Sequence, residues 1–320
     1  MALVVLAGTA NAGVLTETGP DGLVQRISKV ITGQQTLRYP GAEYVKLHFA
    51  RVDGPVTVST VDGAESHRVD RPGWAMSISA DMVVVRGDGV VDRVARGTRT
   101  RKEESNCGPD EKTDAVCYRT TNPVAYGNAK AVARMLIKGT ELCTGFRVGP
   151  SNRMMTNYHC VGTPEEAADT EVWFNYQCAE CGGYAVFRTT KVWLSEVLAS
   201  DKTLDYTIFS VSNFSSVEKF GYLELDVRRP ARGEELYVPQ HPGGKPAMIA
   251  MGNCAVDEPY YEGYAADTDI SYYCDTEGGS SGSPVLARET HRVVALHHFG
   301  GCPNSGVRMD RIYPQVQHLL

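Results

Sequence analysis

Three observations on the sequence predict an all-β protein. Short apolar runs recur along the chain, and Gly, Pro, Asn and Asp stand between them. Glycine is frequent, with 32 residues in a chain of 320. Long segments with the apolar period of a helix are nearly absent. Short strands separated by turn residues are typical of β-barrels and β-sandwiches.

Length, composition and charge restrict the kind of protein. A chain of 320 residues is long for one domain and suits two. Its content of 42% hydrophobic and 22% charged residues is ordinary for a soluble protein. The net charge of −6 argues against a nucleic-acid-binding surface, and no apolar run is long enough to cross a bilayer. We expect a monomer that binds neither nucleic acid nor a membrane.

Two features predict secretion. Residues 1–12 resemble part of a signal peptide, because an apolar run at Leu3–Ala7 is followed by the small residues Ala10 and Ala12. The run is short and lacks a basic leader, so the signal is interpreted as partial. The nine cysteines begin only at Cys107, and that number in a soluble protein indicates disulfides and an oxidising compartment.

The first domain is predicted to be a small β-sandwich over residues 13–95. Residues 13–41 carry few periodic signals and are interpreted as a propeptide-like or connecting segment. Apolar and polar residues then alternate over Val45–Phe49 and over Trp74–Ile78, and Met82–Val85 is continuously apolar. Several short strands in so few residues indicate a sandwich.

Residues 96–106 are polar and rich in basic side chains, which predicts a linker between domains. An exposed basic segment is a natural site of proteolysis, but a linker that is never cut fits the sequence equally well. The second domain follows over residues 107–320. Its predicted strands are Ala131–Lys138, Met154–His159, Glu171–Tyr176, Leu204–Val211, Glu234–Pro239, Ala247–Met251, Val285–Ala287 and Val293–His298.

Ser281 lies in the segment with the clearest chemical signal. It is surrounded by Gly278, Gly279 and Gly282, and Pro284 begins an apolar strand. Small residues let the backbone bend so that a hydroxyl is exposed and neighbouring amides converge on one point. A flexible Gly/Ser linker is the plain alternative, but a linker would not run directly into an apolar strand. We interpret Ser281 as a nucleophile.

A serine nucleophile needs a base and a carboxylate that orients the base. His159 ends a predicted strand, and Asp205 opens an apolar one, which is how a carboxylate becomes buried. Asp201 is the rival carboxylate, but it lies in a polar stretch and is expected to be solvated. We predict that His159, Asp205 and Ser281 form a catalytic triad.

These segments resemble the signature motifs of the trypsin/chymotrypsin superfamily of serine peptidases. The matching residues are Cys143-Thr-Gly, Thr156-Asn-Tyr-His159-Cys160, Leu204-Asp205-Tyr-Thr-Ile and Gly279-Ser-Ser281-Gly-Ser-Pro284. The closest resemblance is to the bacterial-type lysyl and glutamyl endopeptidases. It covers residues 107–312 and none of the first domain.

The resemblance implies a fold and an activity. The fold would be two six-stranded antiparallel β-barrels with the triad in the crevice between them. The activity would be hydrolysis of peptide bonds in protein or peptide substrates through an acyl-enzyme, with the amides of Gly279 and Ser281 as the oxyanion hole. Neither a cofactor nor a metal is expected.

Two departures from the family pattern matter. Most animal members have an aspartate just before the nucleophile, which binds the amine created by zymogen cleavage, and here that position is Ser280. We therefore predict no such switch, and cutting the linker should only remove the first domain. The specificity aspartate of lysyl endopeptidases is missing from Cys302–Gly306.

Residues 275, 276 and 298 are the candidate specificity residues, and they conflict. Asp275 lies where trypsin has the aspartate that selects Lys or Arg, whereas Thr276 and His298 resemble residues that bind glutamate in glutamyl endopeptidases. A loop-stabilising role for Asp275 fits the sequence as well. His297 and His298 alternate on a strand, so they point to opposite faces and one is expected to be packed away from the site.

The resemblance also implies disulfide pairs. Cys143 would pair with Cys160, pinning the histidine loop, and Cys107 with Cys302. Cys117 would then pair with Cys178 or Cys181, which leaves one thiol of those two free. Cys254 is expected to pair with Cys274, although the family offers no precedent for that bond. A local Cys107–Cys117 bridge is the alternative. Cys178 and Cys181 form half of a zinc motif, but no second half follows.

Two other functions were weighed against a secreted serine endopeptidase. A serine esterase is disfavoured by the order His, Asp, Ser and by the absence of a Gly-x-Ser-x-Gly elbow. An inactive peptidase homologue acting as a binding module usually lacks a triad residue, and here all three are present.

Overall fold

The computed structural model describes residues 16–19, 21–97 and 106–320. The chain divides into two compact units, residues 1–98 and 99–320. The signal-like segment at residues 1–12 and most of the predicted linker lie outside the described residues. The all-β prediction is confirmed, since strands dominate both units.

The first unit is a β-sandwich around a single apolar core. Its strands are β1 (Thr16–Thr18), β2 (Gly22–Ile31), β3 (Gln34–Arg38), β4 (Val45–Val52), β5 (Val56–Ser59), β6 (Ser66–Val69), β7 (Gly73–Trp74), β8 (Met82–Arg86) and β9 (Gly89–Gly97). One sheet has the order β1-β2-β9-β4-β7 and the other β3-β8-β5-β6. The buried residues Leu47 and Phe49 of one sheet belong to the same core as Val58 and Val85 of the other.

The interpretation of residues 13–41 as a connecting segment is wrong where the structure describes them. Residues 22–31 and 34–38 form β2 and β3, which pair with β9 and β8. The pairing of β2 shifts its register between Arg26 and Lys29. An irregularity of this kind interrupts the two-residue alternation of inward and outward side chains, so the strand has no clear sequence signal.

The first half of the second unit is a closed six-stranded barrel. Its strands are β11 (Val132–Ile137), β12 (Glu141–Arg147), β13 (Met154–Thr156), β14 (Thr170–Phe174), β15 (Thr190–Asp201) and β16 (Tyr206–Val211), after the short β10 (Thr113–Asp114). The order around the barrel is β11-β12-β13-β16-β15-β14, and all pairs are antiparallel. Its interior is apolar, as in Met135 and Phe209.

The second half is an eight-stranded antiparallel sheet that curls into a half-barrel. Its order is β10-β18-β17-β21-β22-β23-β20-β19. The bounds are β17 (Leu236–Gln240), β18 (Met248–Ala250), β19 (Val256–Tyr261), β20 (Asp269–Tyr272), β21 (Pro284–Ala287), β22 (Val293–Phe299) and β23 (Asn304–Arg308). The chymotrypsin-like arrangement of two antiparallel β layers is confirmed, with one barrel closed and the other open.

Helices are short in this fold. They are α1 (Tyr118–Thr121), α2 (Pro123–Ala129), α3 (Pro164–Ala167) and α4 (Met309–Val316), with 3₁₀ turns at Ala115–Cys117, Phe214–Ser216, Glu218–Phe220 and Pro242–Gly244. In the ranges that the structure describes, no helix combines the length and apolar character needed to span a membrane.

A second apolar core joins the barrel to the half-barrel. It combines Phe146 and Ile208 of the barrel with Leu296 and Val307 of the half-barrel. Ile312 of α4 packs into the same core. This shared core fixes the two halves relative to each other, so the loops at their junction have defined positions.

Candidate active site

His159 and Asp205 come together through the pairing of β13 with β16. Thr156 of β13 lies opposite Thr207 of β16, so the residues that follow β13 lie beside those that precede β16. His159 donates its backbone N–H to Asp205 Oδ1 at 2.9 Å. The ring nitrogen Nδ1 of His159 lies 2.7 Å from Asp205 Oδ2. Two hydrogen bonds therefore fix the imidazole against the carboxylate.

Asp205 is held in its ionised form. Its side chain is buried, which by itself favours the neutral acid, but hydrogen bonds from His159 and His298 outweigh burial and lower its pKa to about 2. The backbone of Asp205 has a φ of 46°, and its carbonyl accepts a hydrogen bond from Asn157 Nδ2 at 2.9 Å. The His159 side chain is 38% exposed, and only its Nδ1 is hydrogen-bonded to Asp205.

Ser281 is attached to the barrel through Thr144 of β12. The N–H of Thr144 donates to the carbonyl of Ser281 at 2.8 Å, and Thr144 Oγ1 donates to the carbonyl of Gly279 at 2.8 Å. The same Ser281 carbonyl lies 3.9 Å from Cys160 Sγ, in the residue after His159. Within residues 106–320, Ser281 Oγ and the His159 ring share no hydrogen bond. Such bonds are often long without substrate and shorten when it binds.

The amides of Gly279 and Ser281 are free to bind an oxygen. The Gly278 carbonyl accepts from Gly243 N at 2.6 Å, and the Ser280 carbonyl accepts from Ser283 N at 3.0 Å. Because C=O and N–H point in opposite directions across a trans peptide, both following N–H groups point away from these partners. Neither N–H has an acceptor within the second unit's described residues. Two such donors are what an oxyanion hole requires.

Ser280 is buried and linked to Gln240. Its hydroxyl donates to Gln240 Oε1 at 2.5 Å, and Gln240 Nε2 donates to the carbonyl of Asp275 at 2.8 Å. The position that carries the zymogen aspartate in animal relatives thus has a neutral hydrogen bond. This contact needs no new chain terminus to form.

A lysine near the start of the second unit supports the same loop. The Lys112 ammonium is fully buried and lies 3.3 Å from Glu277 Oε1 and 2.8 Å from Asp110 Oδ1. The backbone N–H of Glu111, the residue before Lys112, donates to Asp275 Oδ2 at 2.8 Å. Residues 106–112 therefore hold the segment that leads into Ser281.

Asp275 and Thr276 are held by hydrogen bonds to different segments, Asp275 to residue 111 and Thr276 to the first residue of β23. Asp275 is nearly buried, and one of its carboxylate oxygens is used by Glu111. Thr276 Oγ1 donates to Asn304 Oδ1 at 3.1 Å. Asn304, which sequence reasoning missed, also donates to the carbonyl of Cys274 at 2.7 Å.

His298 does not have the surroundings of a substrate-binding residue. Its side chain is fully buried, and Nδ1 lies 3.1 Å from Asp205 Oδ2 while Nε2 lies 2.6 Å from Asp269 Oδ2. Both ring nitrogens are therefore used inside the protein. His297 points to the opposite side, as alternation predicts, and its Nδ1 lies 2.7 Å from the hydroxyl of Tyr272. Burial lowers the pKa of His297 to about 3, so it is neutral.

Asp269 is the residue of this site that the sequence reasoning missed. It begins the short strand β20 and is fully buried. A carboxylate at the start of an apolar strand was the signal that identified Asp205, and the same signal was present here. It was overlooked because no partner for Asp269 could be named from the sequence.

Four disulfides link the second unit. They are Cys107–Cys302, Cys117–Cys181, Cys143–Cys160 and Cys254–Cys274, and Cys178 is a buried free thiol. Cys107–Cys302 and Cys143–Cys160 are the pairs that the resemblance implies, and Cys117 is bound to Cys181 rather than to Cys178. The expected Cys254–Cys274 bond, which has no precedent in the family, is also present. Cys143, His159 and Cys160 place potential metal-ligand atoms within 4.8 Å of one another. The two sulfurs are already bonded to each other, so they are not thiolate ligands.

The sequence of the second unit matches a known family. Residues 143–296 match the model of a trypsin-like peptidase domain. Secreted RxLR effector protein 73 of Plasmopara viticola is 34% identical over 296 residues, which are 87% of this chain and 70% of that protein. The chain therefore belongs to the trypsin-like peptidase family.

Two solved structures are also similar to this chain. A Glu endopeptidase in complex with MPD is 19% identical with a TM-score of 0.48, over 67% of this chain and 97% of that chain. The active form of the Rv3671c protease from M. tuberculosis is 17% identical with a TM-score of 0.47, over 68% of this chain and 91% of that chain.

Proposed function

We propose that the protein is a secreted serine endopeptidase that cleaves peptide bonds through an acyl-enzyme. The observation that carries this proposal is the buried, ionised Asp205 bonded to Nδ1 of His159, beside a loop with two unused amides around Ser281. An ionised carboxylate on Nδ1 holds the proton there and leaves Nε2 as the base. Secretion is supported by the disulfides and by a relative named as secreted.

The reaction then follows in two stages. Ser281 Oγ attacks the scissile carbonyl carbon while His159 Nε2 takes the hydroxyl proton, and the carbonyl oxygen becomes negative. The N–H groups of Gly279 and Ser281 stabilise that oxygen. The C–N bond breaks as His159 returns the proton to the leaving amine. Water then attacks the ester with His159 again as base, and the acid product and Ser281 are released.

The surroundings of the predicted specificity residues favour a basic P1 side chain over a glutamate. Asp275 supplies a negative charge, and only one of its carboxylate oxygens has a bond to Glu111. The two residues that resemble glutamate-binding ones are otherwise engaged, since His298 is bound by two aspartates and Thr276 donates to Asn304. The neighbouring His297 is neutral. A peptide library cleaved mainly after Lys or Arg is the expected result, and cleavage mainly after Glu would contradict it.

Ser281→Ala tests the nucleophile. We expect hydrolysis of a peptide substrate to fall by about 10⁴- to 10⁶-fold, because the triad acts as a unit. A fluorophosphonate should label the full chain at Ser281 and should not label this variant. The exposed Ser215→Ala variant is the matched control and should keep both activity and label. Undiminished hydrolysis in Ser281→Ala, or a wild-type chain that neither labels nor cleaves, would contradict the proposal.

A further inference from the structure

His298 joins Asp205 to a second buried carboxylate. Its ring lies between Asp205 Oδ2 at 3.1 Å and Asp269 Oδ2 at 2.6 Å, and all three side chains are at most 1% exposed. Ser305 Oγ donates to the same oxygen of Asp269 at 3.0 Å. We call His298 and Asp269 the histidine bridge. The bridge meets Asp205 at Oδ2, the same oxygen that His159 Nδ1 contacts.

The two contacts of His298 determine where protons lie. A neutral imidazole has one N–H, whereas both ring nitrogens here face carboxylate oxygens. Burial favours neutral His298, but the bonds to Asp205 and Asp269 outweigh burial and raise its pKa. The hydroxyl of Ser305 donates to the Asp269 oxygen that faces His298, so that oxygen already acts as an acceptor. The bridge is therefore best satisfied as an imidazolium between two carboxylates.

No other charged group opposes this arrangement in the part of the chain that the structure describes. The ring of Tyr264 contacts the His298 ring edge-on, with the ring centroids 5.9 Å apart. The ring centroid of Phe299 lies 4.0 Å from that of His298. His297 is adjacent in sequence, but it is neutral and faces Tyr272. The hydroxyls of Tyr264 and Tyr272 are also titratable, but burial raises the pKa of each, so both are neutral. His159 is linked to the bridge through Asp205.

The bridge limits the orientation of the Asp205 carboxylate. Oδ1 accepts the backbone N–H of His159, and Oδ2 accepts from both His159 Nδ1 and His298 Nδ1. Without His298, rotation about the last side-chain bond would be opposed only by His159 itself. Displacements of about 1 Å in a catalytic group can cost about 100-fold in rate.

We propose that His298 and Asp269 are positioning residues of the peptidase reaction: His298 fixes Asp205 for His159, and Asp269 keeps His298 doubly protonated. This inference rests on the proposed function. The bridge acts through Asp205 and touches neither the substrate nor the reacting atoms. It also assigns a structural purpose to a histidine for which the sequence indicated substrate specificity.

Two variants distinguish the positioning of Asp205 by His298 from the effect of the positive charge on His298. They are His298→Ala and Asp269→Asn. In the full chain, His298→Ala should lower kcat by about 10- to 100-fold with little change in KM, since Asp205 loses a restraint and substrate contacts stay. In Asp269→Asn, a neutral His298 still donates from Nδ1 to Asp205, so kcat should stay within a few-fold. In this variant His298 no longer carries a positive charge that repels a second charge on His159, so His159 should bind a proton more easily. The acid limb of kcat/KM should therefore move to higher pH.

Asp267→Asn is the matched control. This aspartate lies two residues from Asp269, but its carboxylate pairs with Arg308 at 2.9 Å and Arg311 at 2.7 Å instead of with the bridge. It should leave kcat and the acid limb unchanged. A folded His298→Ala with wild-type kcat overturns the positioning role, and an unmoved acid limb in Asp269→Asn overturns the charge of the bridge.

Proton NMR tests the bridge without any activity. In the full-length Ser281→Ala protein we expect two downfield imidazole N–H resonances from His298, both absent in Ser281→Ala/His298→Ala. The His159 Nδ1–H resonance should move upfield in the double variant, because Asp205 is held less firmly. A single His298 resonance, or an unmoved His159 resonance, overturns the inference. If the Ser281→Ala protein shows both signals but the wild-type chain hydrolyses no peptide, the proposed function is contradicted and the bridge stays in place.

Discussion

Gly282 allows the chain to turn directly after Ser281. Its φ is 86°, in the left-handed region that glycine adopts without strain. A Cβ at this position would overlap the carbonyl oxygen of Thr144 and the hydroxyl of Thr156. The barrel therefore approaches the nucleophile loop so closely that no side chain fits. The glycine signal found in the sequence thus has a steric basis as well as a conformational one.

Gly282→Ala should destabilise the protein and inactivate it. The left-handed backbone costs about 1–2 kcal/mol and the overlap about 1–3 kcal/mol more. Urea unfolding followed by circular dichroism measures the first effect, and peptide hydrolysis measures the displacement of Ser281. Gly149→Ala is the control, because Gly149 has a φ of 65° but open space around it. Equal losses in the two variants would show that the close approach to Thr144 is unimportant.

At the scale of elements, the site depends on how a few strands and one N-terminal segment meet. The register of β13 with β16 brings His159 to Asp205, and β12 holds the nucleophile loop through Thr144. Residues 106–112 add a third support, through the buried ammonium of Lys112 and the amide of Glu111. This support is present in the intact chain and uses no new terminus, which agrees with the expected absence of a zymogen switch.

Lys112→Met should weaken the loop around Ser281. Removing the buried ammonium deprives Glu277 and Asp110 of a donor, which should cost about 1–3 kcal/mol, because Glu277 keeps Lys245 and Asp110 is partly exposed to water. We expect a lower urea midpoint and about a tenfold lower kcat. Lys245→Met is the control, since Lys245 pairs with the same Glu277 at 3.0 Å but is 45% exposed. It should cost less than about 1 kcal/mol. Similar losses in both variants would exclude a special role for residues 106–112.

For the whole molecule, buried histidines link stability to pH. Burial lowers the pKa of His297 to about 3 and that of His241 to about 4, well below the ordinary value of 6.5. The unfolded chain therefore binds protons below pH 6.5 that the folded chain does not. The lowered pKa of Asp205, about 2, acts in the same direction but only at pH values below about 4. The raised pKa of His298 has the opposite effect, and its contribution is lost as the pH rises.

The free energy of unfolding should thus fall as the pH is lowered from 6.5 towards 4. Each buried imidazole contributes at most about 1.4 kcal/mol per pH unit in this range. His297→Gln should reduce the slope, whatever its effect on stability at neutral pH. Urea unfolding at several pH values measures this slope, with the exposed His318→Gln as control. A slope that is the same in wild type and His297→Gln would contradict a neutral, buried His297.

Local sequence was sufficient for the β class and for the triad candidates. The residue types of His159, Asp205 and Ser281, with small residues around the serine, follow from chemical requirements, and each is visible in its own short segment. Their order along the chain carried information only through the resemblance to a family. The open form of the second sheet and the presence of strand β2 could not be predicted from the sequence. Closure depends on pairing between distant strands, and an irregular register hides the alternation on which strand prediction depends.

The surroundings of His298 were decided only by the tertiary structure. Its sequence position suits a substrate pocket, yet its neighbours are Asp205 from the barrel and Asp269 from another strand of the half-barrel. Those two residues lie 93 and 29 positions away in the chain. Which carboxylates meet a buried imidazole depends on strand order and on the packing of the two halves. The sequence therefore determines which chemical group a residue carries. The fold determines its hydrogen-bond partners, and these partners determine its charge.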